Sequence, residues 1–223
     1  MQAAFQEAKR KQESFLAPLE KRCLIWLAER APRWINSDHL TLLGLAALFG
    51  AGLSYWWARS NPAGLYAVIA CLTLNWLGDS LDGTLARVRN RQRPRYGFYV
   101  DHVVDAFGAV FLLGGLALSG YMSERIALGL LIAYLMLSIE VYLATYALGT
   151  FHISFWKLGP TELRILLVVG NIALLFNPDA GIAGSGWRLF DVGGAVGIAG
   201  MMLMLVLAAV KHTRALYEAE RLS

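Results

Sequence analysis

The sequence predicts an all-α integral membrane protein with six transmembrane helices and an amphipathic helix at its N-terminus. Of its 223 residues, 57% are hydrophobic and only 16% are charged, whereas soluble domains carry about 25% charged residues. Charged residues are absent from four runs, which cover residues 39–58, 60–78, 106–123 and 192–210. Each run is close to the roughly 20 residues that a helix needs to cross the hydrocarbon core. Most classes of soluble protein are therefore excluded.

Two further apolar stretches complete the six spans, although charged residues interrupt both. Residues 126–156 contain Glu140, and residues 159–177 contain Glu162 and Arg164. Ionisable residues inside a membrane are costly and usually mark a function. Glu162 and Arg164 are expected either to pair with each other or to hold a polar head group in a cavity. Glu140 has no evident partner in the sequence.

An amphipathic helix precedes the first span and defines a separate N-terminal region, residues 1–36. Its apolar residues recur mostly at intervals of three, four or seven, the spacing of one helix face, and basic residues fill much of the rest. Such a helix lies in the membrane interface. Pro32 ends it, and Ser37 or Asp38 is expected to cap the first span. Residues 37–223 then form the six-helix transmembrane domain.

The basic residues predict the orientation of the chain in the membrane. All but three of the 20 Lys and Arg residues fall on the side of both termini and the 87–95 loop, the exceptions being Arg59, Arg125 and Arg188. The positive-inside rule places that side in the cytoplasm. Topology and attraction to anionic lipid headgroups account for the net charge of +4, so the expected partners include membrane lipids and no nucleic acid.

Four aspartates carry the predicted chemistry, and they flank the 87–95 loop. Asp79 and Asp82 are three residues apart and Asp101 and Asp105 are four apart, so each pair shares one helix face. A short loop between antiparallel helices aims both pairs at one point. Carboxylates at membrane depth need a positive partner, and hard oxygen ligands favour Mg²⁺, Mn²⁺ or Ca²⁺ over zinc. Two such ions form the clamp that phosphoryl-transfer sites use.

Small residues beside the acids leave room for a ligand. Gly83 and Ala86 lie on the helix of Asp79 and Asp82, and Gly97 precedes the second acidic pair. Their lack of bulk allows a nucleotide or a pyrophosphate to approach the backbone. From the residues alone, the alternatives to an enzyme are a small cation-coupled transporter with the aspartates as its ion site, and structural ion pairs.

This stretch resembles the signature of the CDP-alcohol phosphotransferases, also called CDP-alcohol phosphatidyltransferases. Residues 79–105 meet the whole pattern, which is Asp-x2-Asp-Gly-x2-Ala-Arg, nine residues, and Gly-x3-Asp-x3-Asp. The six-helix layout with an amphipathic N-terminal helix also agrees, so the resemblance covers nearly the whole chain. It implies transfer of a substituted phosphate from a CDP-linked donor to an alcohol hydroxyl, with release of CMP, in phospholipid biosynthesis.

The resemblance also implies roles for individual residues. Asp79, Asp82 and Asp101 would bind two divalent ions, Mg²⁺ or Mn²⁺, while Asp105 would reach the second ion and act as the catalytic general base. Five residues of the motif would bind CDP: Asp82, Gly83, Ala86, Arg87 and Gly97. Three further polar residues are candidates for binding the acceptor or its head group: His102, Glu162 and Arg164.

The substrates remain open between two branches of the family. One branch uses CDP-diacylglycerol with a polar alcohol, and the other uses CDP-choline or CDP-ethanolamine with diacylglycerol. The six-span size resembles bacterial enzymes of the first branch, and a homodimer in a bacterial inner membrane is expected. Ala106 stands where users of phosphorylated acceptors have a Lys or Arg. Four dipeptides resemble the second branch: Asp101-His102, Thr145-Tyr146, Gly149-Thr150 and Thr161-Glu162.

Overall fold

A computed structural model describes residues 17–148, 160–177 and 187–221. These residues form seven helices and no strand, which confirms the all-α prediction. The helices in chain order are α1 (Ala17–Arg30), α2 (Ser37–Ala58), α3 (Ala63–Val88), α4 (Pro94–Ser119), α5 (Glu124–Leu148), α6 (Pro160–Phe176) and α7 (Leu189–Ala219).

Five of the described helices, namely α2, α3, α4, α5 and α7, are long and apolar enough to cross a membrane. The protein is therefore an integral membrane protein, as predicted. Helix α6 has 17 residues and is shorter than each of these five helices, so the count of six spans stays a prediction. The predicted span 126–156 is helical as far as Leu148, and its last residues lie outside the described part of the chain.

One face of α1 is buried and another is exposed, as an amphipathic helix requires. Leu24 and Ala28 are buried in a cluster with residues of α2 and α3, whereas Lys21 and Arg22 are exposed. The first half of the predicted amphipathic helix lies outside the described residues. The division into an N-terminal region of residues 1–36 and a separate transmembrane domain therefore stays a prediction.

Helix α2 begins with a capping box at Asn36, so the prediction that Ser37 or Asp38 caps it was wrong. The Asn36 side chain accepts a hydrogen bond from the His39 backbone N–H at 2.9 Å, and the Asn36 N–H donates to His39 Nδ1 at 3.3 Å. The two expected caps have other partners. The Ser37 hydroxyl donates to the Asp82 carbonyl oxygen at 2.8 Å, and Asp38 pairs with an arginine of the α3–α4 loop.

Helices α2, α3 and α4 form the centre of the bundle. Helix α2 packs on both α3 and α4, α5 packs on α4 and α7, and both α1 and α6 pack on α3. A Cβ on Gly115 of α4 would overlap the backbone of Gly52 on α2, and such small residues let helix backbones approach closely in lipid. The start of α2, the end of α3 and the start of α4 meet at one end of the bundle, called here the motif end.

Replacing Gly115 with alanine is expected to destabilise the protein by about 1–3 kcal/mol, the typical cost of overpacking. The added methyl group has no room against Gly52, so α2 and α4 must separate. Thermal unfolding of the purified protein in detergent measures this as a lower Tm. Gly114→Ala is the matched control, because a Cβ at Gly114 meets no atom within 4 Å. Equal Tm values for the two variants would contradict the packing.

Two polar contacts, one buried and one partly buried, join helices that are distant in the chain. The Asn171 side chain on α6 donates to the Tyr55 hydroxyl on α2 at 2.8 Å. Glu140 Oε1 on α5 lies 2.6 Å from His212 Nδ1 on α7. The partner of Glu140 that the sequence did not reveal is therefore His212.

Candidate active site

Three of the four motif aspartates converge at the motif end. Helix α3 contributes Asp79, helix α4 contributes Asp101 and Asp105, and one carboxylate oxygen of each lies within 4.8 Å of the others. Asp101 and Asp105 share a helix face because they are one turn apart. Carboxylates are hard oxygen donors, and these three half-buried groups lie close enough together to hold one cation. This donor set fits Mg²⁺ or Mn²⁺.

Asp82 lines the same small cavity as these three carboxylates but lies outside their cluster. The cavity has a volume of about 10 Å³, and all four aspartates contribute to its wall. One Asp82 carboxylate oxygen accepts a hydrogen bond from the Thr41 hydroxyl at 2.6 Å. The other accepts from the Gly83 backbone N–H. The Asp82 carboxylate is therefore oriented by α2 and by its own helix.

A cationic side chain reaches the acids from a different helix. Arg164 on α6 donates one hydrogen bond to the Asp79 carboxylate and another, at 2.8 Å, to the Asn75 side-chain oxygen. Asn75 in turn donates to the Gly44 carbonyl oxygen on α2 at 3.0 Å. The sequence left two arrangements open for Arg164, which were pairing with Glu162 or holding a head group in a cavity. In the structure its guanidinium lies against Asp79, in the wall of the small acidic cavity.

The other two candidate acceptor residues lie on helices next to the cluster. His102 follows Asp101 on α4, its Nδ1 is 2.6 Å from the Phe98 carbonyl oxygen, and its ring packs against Tyr142 of α5. Glu162 is half-buried on α6, two residues before Arg164. Their roles toward an acceptor stay predictions.

A larger cavity opens beside the acids at the motif end. Its volume is about 360 Å³, which lies within the usual size range of ligand pockets. The start of α2, the end of α3 and the following loop line it: Asn36, Ser37, Asp38, Leu85, Ala86, Arg89, Arg91, Gln92 and Arg93. Since Ser37 in its wall donates to the Asp82 backbone, this cavity adjoins the acidic one.

The wall of the larger cavity is mainly cationic, because it holds three arginines and one aspartate. The hydrogen bond to Asp38 raises the pKa of the Arg93 guanidinium above its ordinary value, so Arg93 stays charged. A cavity with this charge favours an anionic ligand such as a phosphate ester.

The remaining predicted CDP-binding residues lie along α3 and at the start of α4. The Arg87 guanidinium donates to the Thr84 hydroxyl at 3.0 Å. A Cβ built on Gly83 would lie 3.4 Å from Arg87 Nη1, so Arg87 covers the Gly83 backbone. A Cβ on Gly97 would meet no atom within 4 Å. The backbone at Gly97 is therefore open to a ligand.

Asn75 and Thr41 contact the site, although neither belongs to the aspartate motif. Asn75 lies one helical turn before Asp79, so helix periodicity alone could have placed it on the acidic face. Thr41 contacts Asp82 across 41 residues of sequence. Nothing in the sequence near Thr41 indicates that contact.

Fold and site together define an α-helical membrane protein with a cluster of carboxylates beside a cavity that three arginines line. Residues 34–211 match the CDP-alcohol phosphatidyltransferase family, and the chain belongs to this family. It is therefore an enzyme that transfers a substituted phosphate from a CDP-linked donor to an alcohol in phospholipid biosynthesis. The alternative of a cation-coupled transporter is not supported.

Among solved structures, the chain is similar to phosphatidylinositol phosphate synthase from Mycobacterium tuberculosis, which was crystallised with CDP-diacylglycerol bound. The two sequences are 20% identical, the match covers 90% of this chain and 92% of the other, and the TM-score is 0.52. This likeness shows a shared fold.

Proposed function

We propose that the donor is CDP-diacylglycerol and that the enzyme transfers its phosphatidyl group to the hydroxyl of a small polar alcohol. The observation that carries the transfer chemistry is the convergence of the Asp79, Asp101 and Asp105 carboxylates within 4.8 Å, since such a cluster suits phosphoryl transfer. The Mycobacterium tuberculosis protein of the same fold has CDP-diacylglycerol bound, which supports this donor. We propose two Mg²⁺ or Mn²⁺ ions, held by these three residues and Asp82.

In this mechanism the protein positions the reactants and moves one proton. Divalent ions held by Asp79, Asp82, Asp101 and Asp105 would supply positive charge that offsets the negative charge of the donor phosphates in the transition state. Asp105 accepts the proton of the attacking hydroxyl, whose oxygen forms a bond to the phosphorus distal to cytidine. The bond from that phosphorus to the bridging oxygen breaks, and CMP leaves with the bridging oxygen. Thr41 and the Gly83 N–H keep the Asp82 carboxylate oriented.

The nucleotide part of the donor is proposed to occupy the larger cavity. Ala86 lies in its wall, and its small side chain leaves space for the ligand. The arginines of the wall favour the anionic end of the nucleotide. Gly83 and Gly97 have no side chain, so the nucleotide can approach the backbone at both residues. Arg87 lies next to Gly83.

Replacing Arg87 with alanine is expected to weaken CDP binding by about 10- to 100-fold, the loss of a charge-assisted hydrogen bond. Binding of Mn²⁺ should change much less, because a guanidinium group has no acceptor atom and supplies no ligand to a cation. Calorimetric titration with CDP and with Mn²⁺ separates the two effects. Arg59→Ala removes the same charge from an exposed position at the opposite end of α2 and should leave both affinities unchanged. An unaltered CDP affinity in Arg87→Ala would remove Arg87 from the nucleotide site.

We also propose that the motif end faces the cytoplasm of a bacterial inner membrane and that the enzyme is a homodimer. Five arginines between residues 87 and 95 lie at this end, and the positive-inside rule favours a cytoplasmic position for them. The dimer rests on the family resemblance alone.

The donor is tested by supplying the purified protein with each donor in parallel. One reaction contains CDP-diacylglycerol with a panel of polar alcohols, and the other contains CDP-choline or CDP-ethanolamine with diacylglycerol. We expect CMP release and a new phospholipid only with CDP-diacylglycerol. The second branch is the competing candidate, supported by Asp101-His102 and Thr161-Glu162 in the sequence. CMP release only with CDP-choline or CDP-ethanolamine would establish that branch and overturn the proposed donor.

A further inference from the structure

The carboxylate of Glu20 joins three helices next to the acidic cluster. Its Oε1 atom accepts hydrogen bonds from Trp76 Nε1 at 2.8 Å and from the Ser80 hydroxyl at 3.2 Å, both on α3. The same oxygen accepts from the Thr161 hydroxyl on α6 at 2.9 Å. Glu20 itself lies on α1 and is half-buried. Because one of its oxygens accepts three hydrogen bonds from the protein, Glu20 differs from a charged side chain that only water surrounds.

The helices that Glu20 joins are those that meet in the active site. Ser80 follows Asp79 directly on α3. Thr161 precedes Arg164 by three residues on α6, so their side chains share one helix face. Arg164 reaches Asp79 from that face. Glu20 links α3 to α6 through Ser80 and Thr161, and Arg164 links the same two helices through Asp79. On α6 the two links are about one helical turn apart.

Helix α6 has one principal neighbour among the described helices, which is α3. Farther along α6, Asn171 donates to Tyr55 of α2. At the motif end, two polar links connect it to α3, one made by Arg164 directly and one by Thr161 through Glu20. The position of the Arg164 guanidinium thus depends on how α6 is held at this end.

We propose that Glu20 is a positioning residue, which holds α6 against α3 so that the Arg164 guanidinium reaches the acidic cluster. Glu20 touches none of the reacting groups and acts through Arg164. The proposal rests on the proposed function of the acidic cluster. It assigns helix α1 a role in arranging the active site.

A double-mutant cycle tests this dependence through the rate of CMP release. Glu20→Ala is expected to lower kcat/KM by about 10- to 100-fold, as a misplaced active-site group does, and Arg164→Ala by at least as much. Adding Glu20→Ala to Arg164→Ala should lower kcat/KM no further, because Glu20 acts through Arg164. Multiplicative losses in the double variant would overturn the proposal.

Two milder variants keep the test valid even if Glu20→Ala folds poorly. Glu20→Gln retains an oxygen that accepts the same hydrogen bonds, so it should restore kcat/KM to near the wild-type value. Thr161→Val removes only the hydroxyl that ties α6 to Glu20 and should reproduce part of the loss. A Glu20→Gln variant as impaired as Glu20→Ala, or a fully active Thr161→Val variant, would refute the hydrogen-bonded link. Glu29→Ala, an exposed site on α1, is the control for lost charge.

Binding of Mn²⁺ without substrate, followed by electron paramagnetic resonance, gives a readout that is independent of turnover. The Arg164 guanidinium occupies a carboxylate oxygen of Asp79, so Arg164→Ala should tighten Mn²⁺ binding. Glu20→Ala should tighten it in the same direction. If Arg164→Ala alters activity and Mn²⁺ affinity while Glu20→Ala alters neither, the role of Glu20 is refuted and that of the acidic cluster stands. If Arg164→Ala alters neither, Arg164 has no role in the site and the proposal also fails.

Discussion

Replacing Asp105 with asparagine is expected to lower turnover by at least about 100-fold, the usual contribution of a general base. Asparagine keeps the shape of the side chain, but it neither accepts the proton of the attacking hydroxyl nor carries charge toward a cation. One carboxylate oxygen of Asp105 lies within 4.8 Å of an oxygen of Asp79 and of Asp101. The substitution therefore also changes the charge of the whole cluster. CMP release under saturating donor measures the effect.

The matched control for this substitution is Glu124→Gln, which neutralises an exposed carboxylate at the start of α5, the end of the bundle opposite the motif. It should retain the wild-type rate. Size-exclusion chromatography and Tm in detergent establish that both variants are folded. A folded Asp105→Asn protein with a near-normal rate would remove Asp105 as the base.

Chelation of divalent cations is expected to abolish activity completely, and added Mg²⁺ or Mn²⁺ should restore it. Four carboxylates line a single small cavity, and hard oxygen donors grouped in this way favour a divalent cation. The proposed cations would offset the charge of the cluster and of the donor phosphates.

The chelation experiment compares free EDTA with EDTA that was loaded with Mg²⁺ beforehand. Only the free chelator should stop CMP release, and the loaded chelator controls for effects on the detergent micelle. Full activity after prolonged dialysis against free EDTA would contradict a cation-dependent mechanism.

The motif half of the site is predictable from the sequence because it depends on local geometry. Asp79 and Asp82 share a face of one helix, Asp101 and Asp105 share a face of the next, and the joining loop is too short to separate them. The same reasoning predicts the helices themselves, since uncharged runs of about 20 residues specify spans directly. The family resemblance then adds roles that geometry alone does not assign.

Contacts between helices that are distant in sequence are not predictable in this way. Arg164 meets Asp79 across 85 residues, and Thr161 meets Glu20 across 141. In a membrane protein the lipid-facing and the buried helix surfaces are both apolar, so periodicity does not reveal which faces meet. Glu140 lacked a sequence partner for this reason.

The start of α2 shows a different limit of sequence reasoning. Asn36, Ser37 and Asp38 are all good N-cap residues, and they stand side by side. The tertiary partners decide among them: Ser37 bonds to the Asp82 backbone and Asp38 pairs with Arg93, which leaves Asn36 to cap the helix. Local N-cap preference limits the candidates to these three neighbouring residues, and their tertiary contacts determine which of them caps the helix.

Counting the Mn²⁺ ions bound to the purified protein tests most directly whether the acidic cluster is the cation site of the transferase. Equilibrium binding with CDP present, read by electron paramagnetic resonance, is predicted to give two tightly bound ions per chain with spin coupling between them. Asp79→Asn and Asp101→Asn should each lose that coupled signal. Failure of the wild-type protein to retain Mn²⁺, or unchanged binding in both variants, would contradict the account.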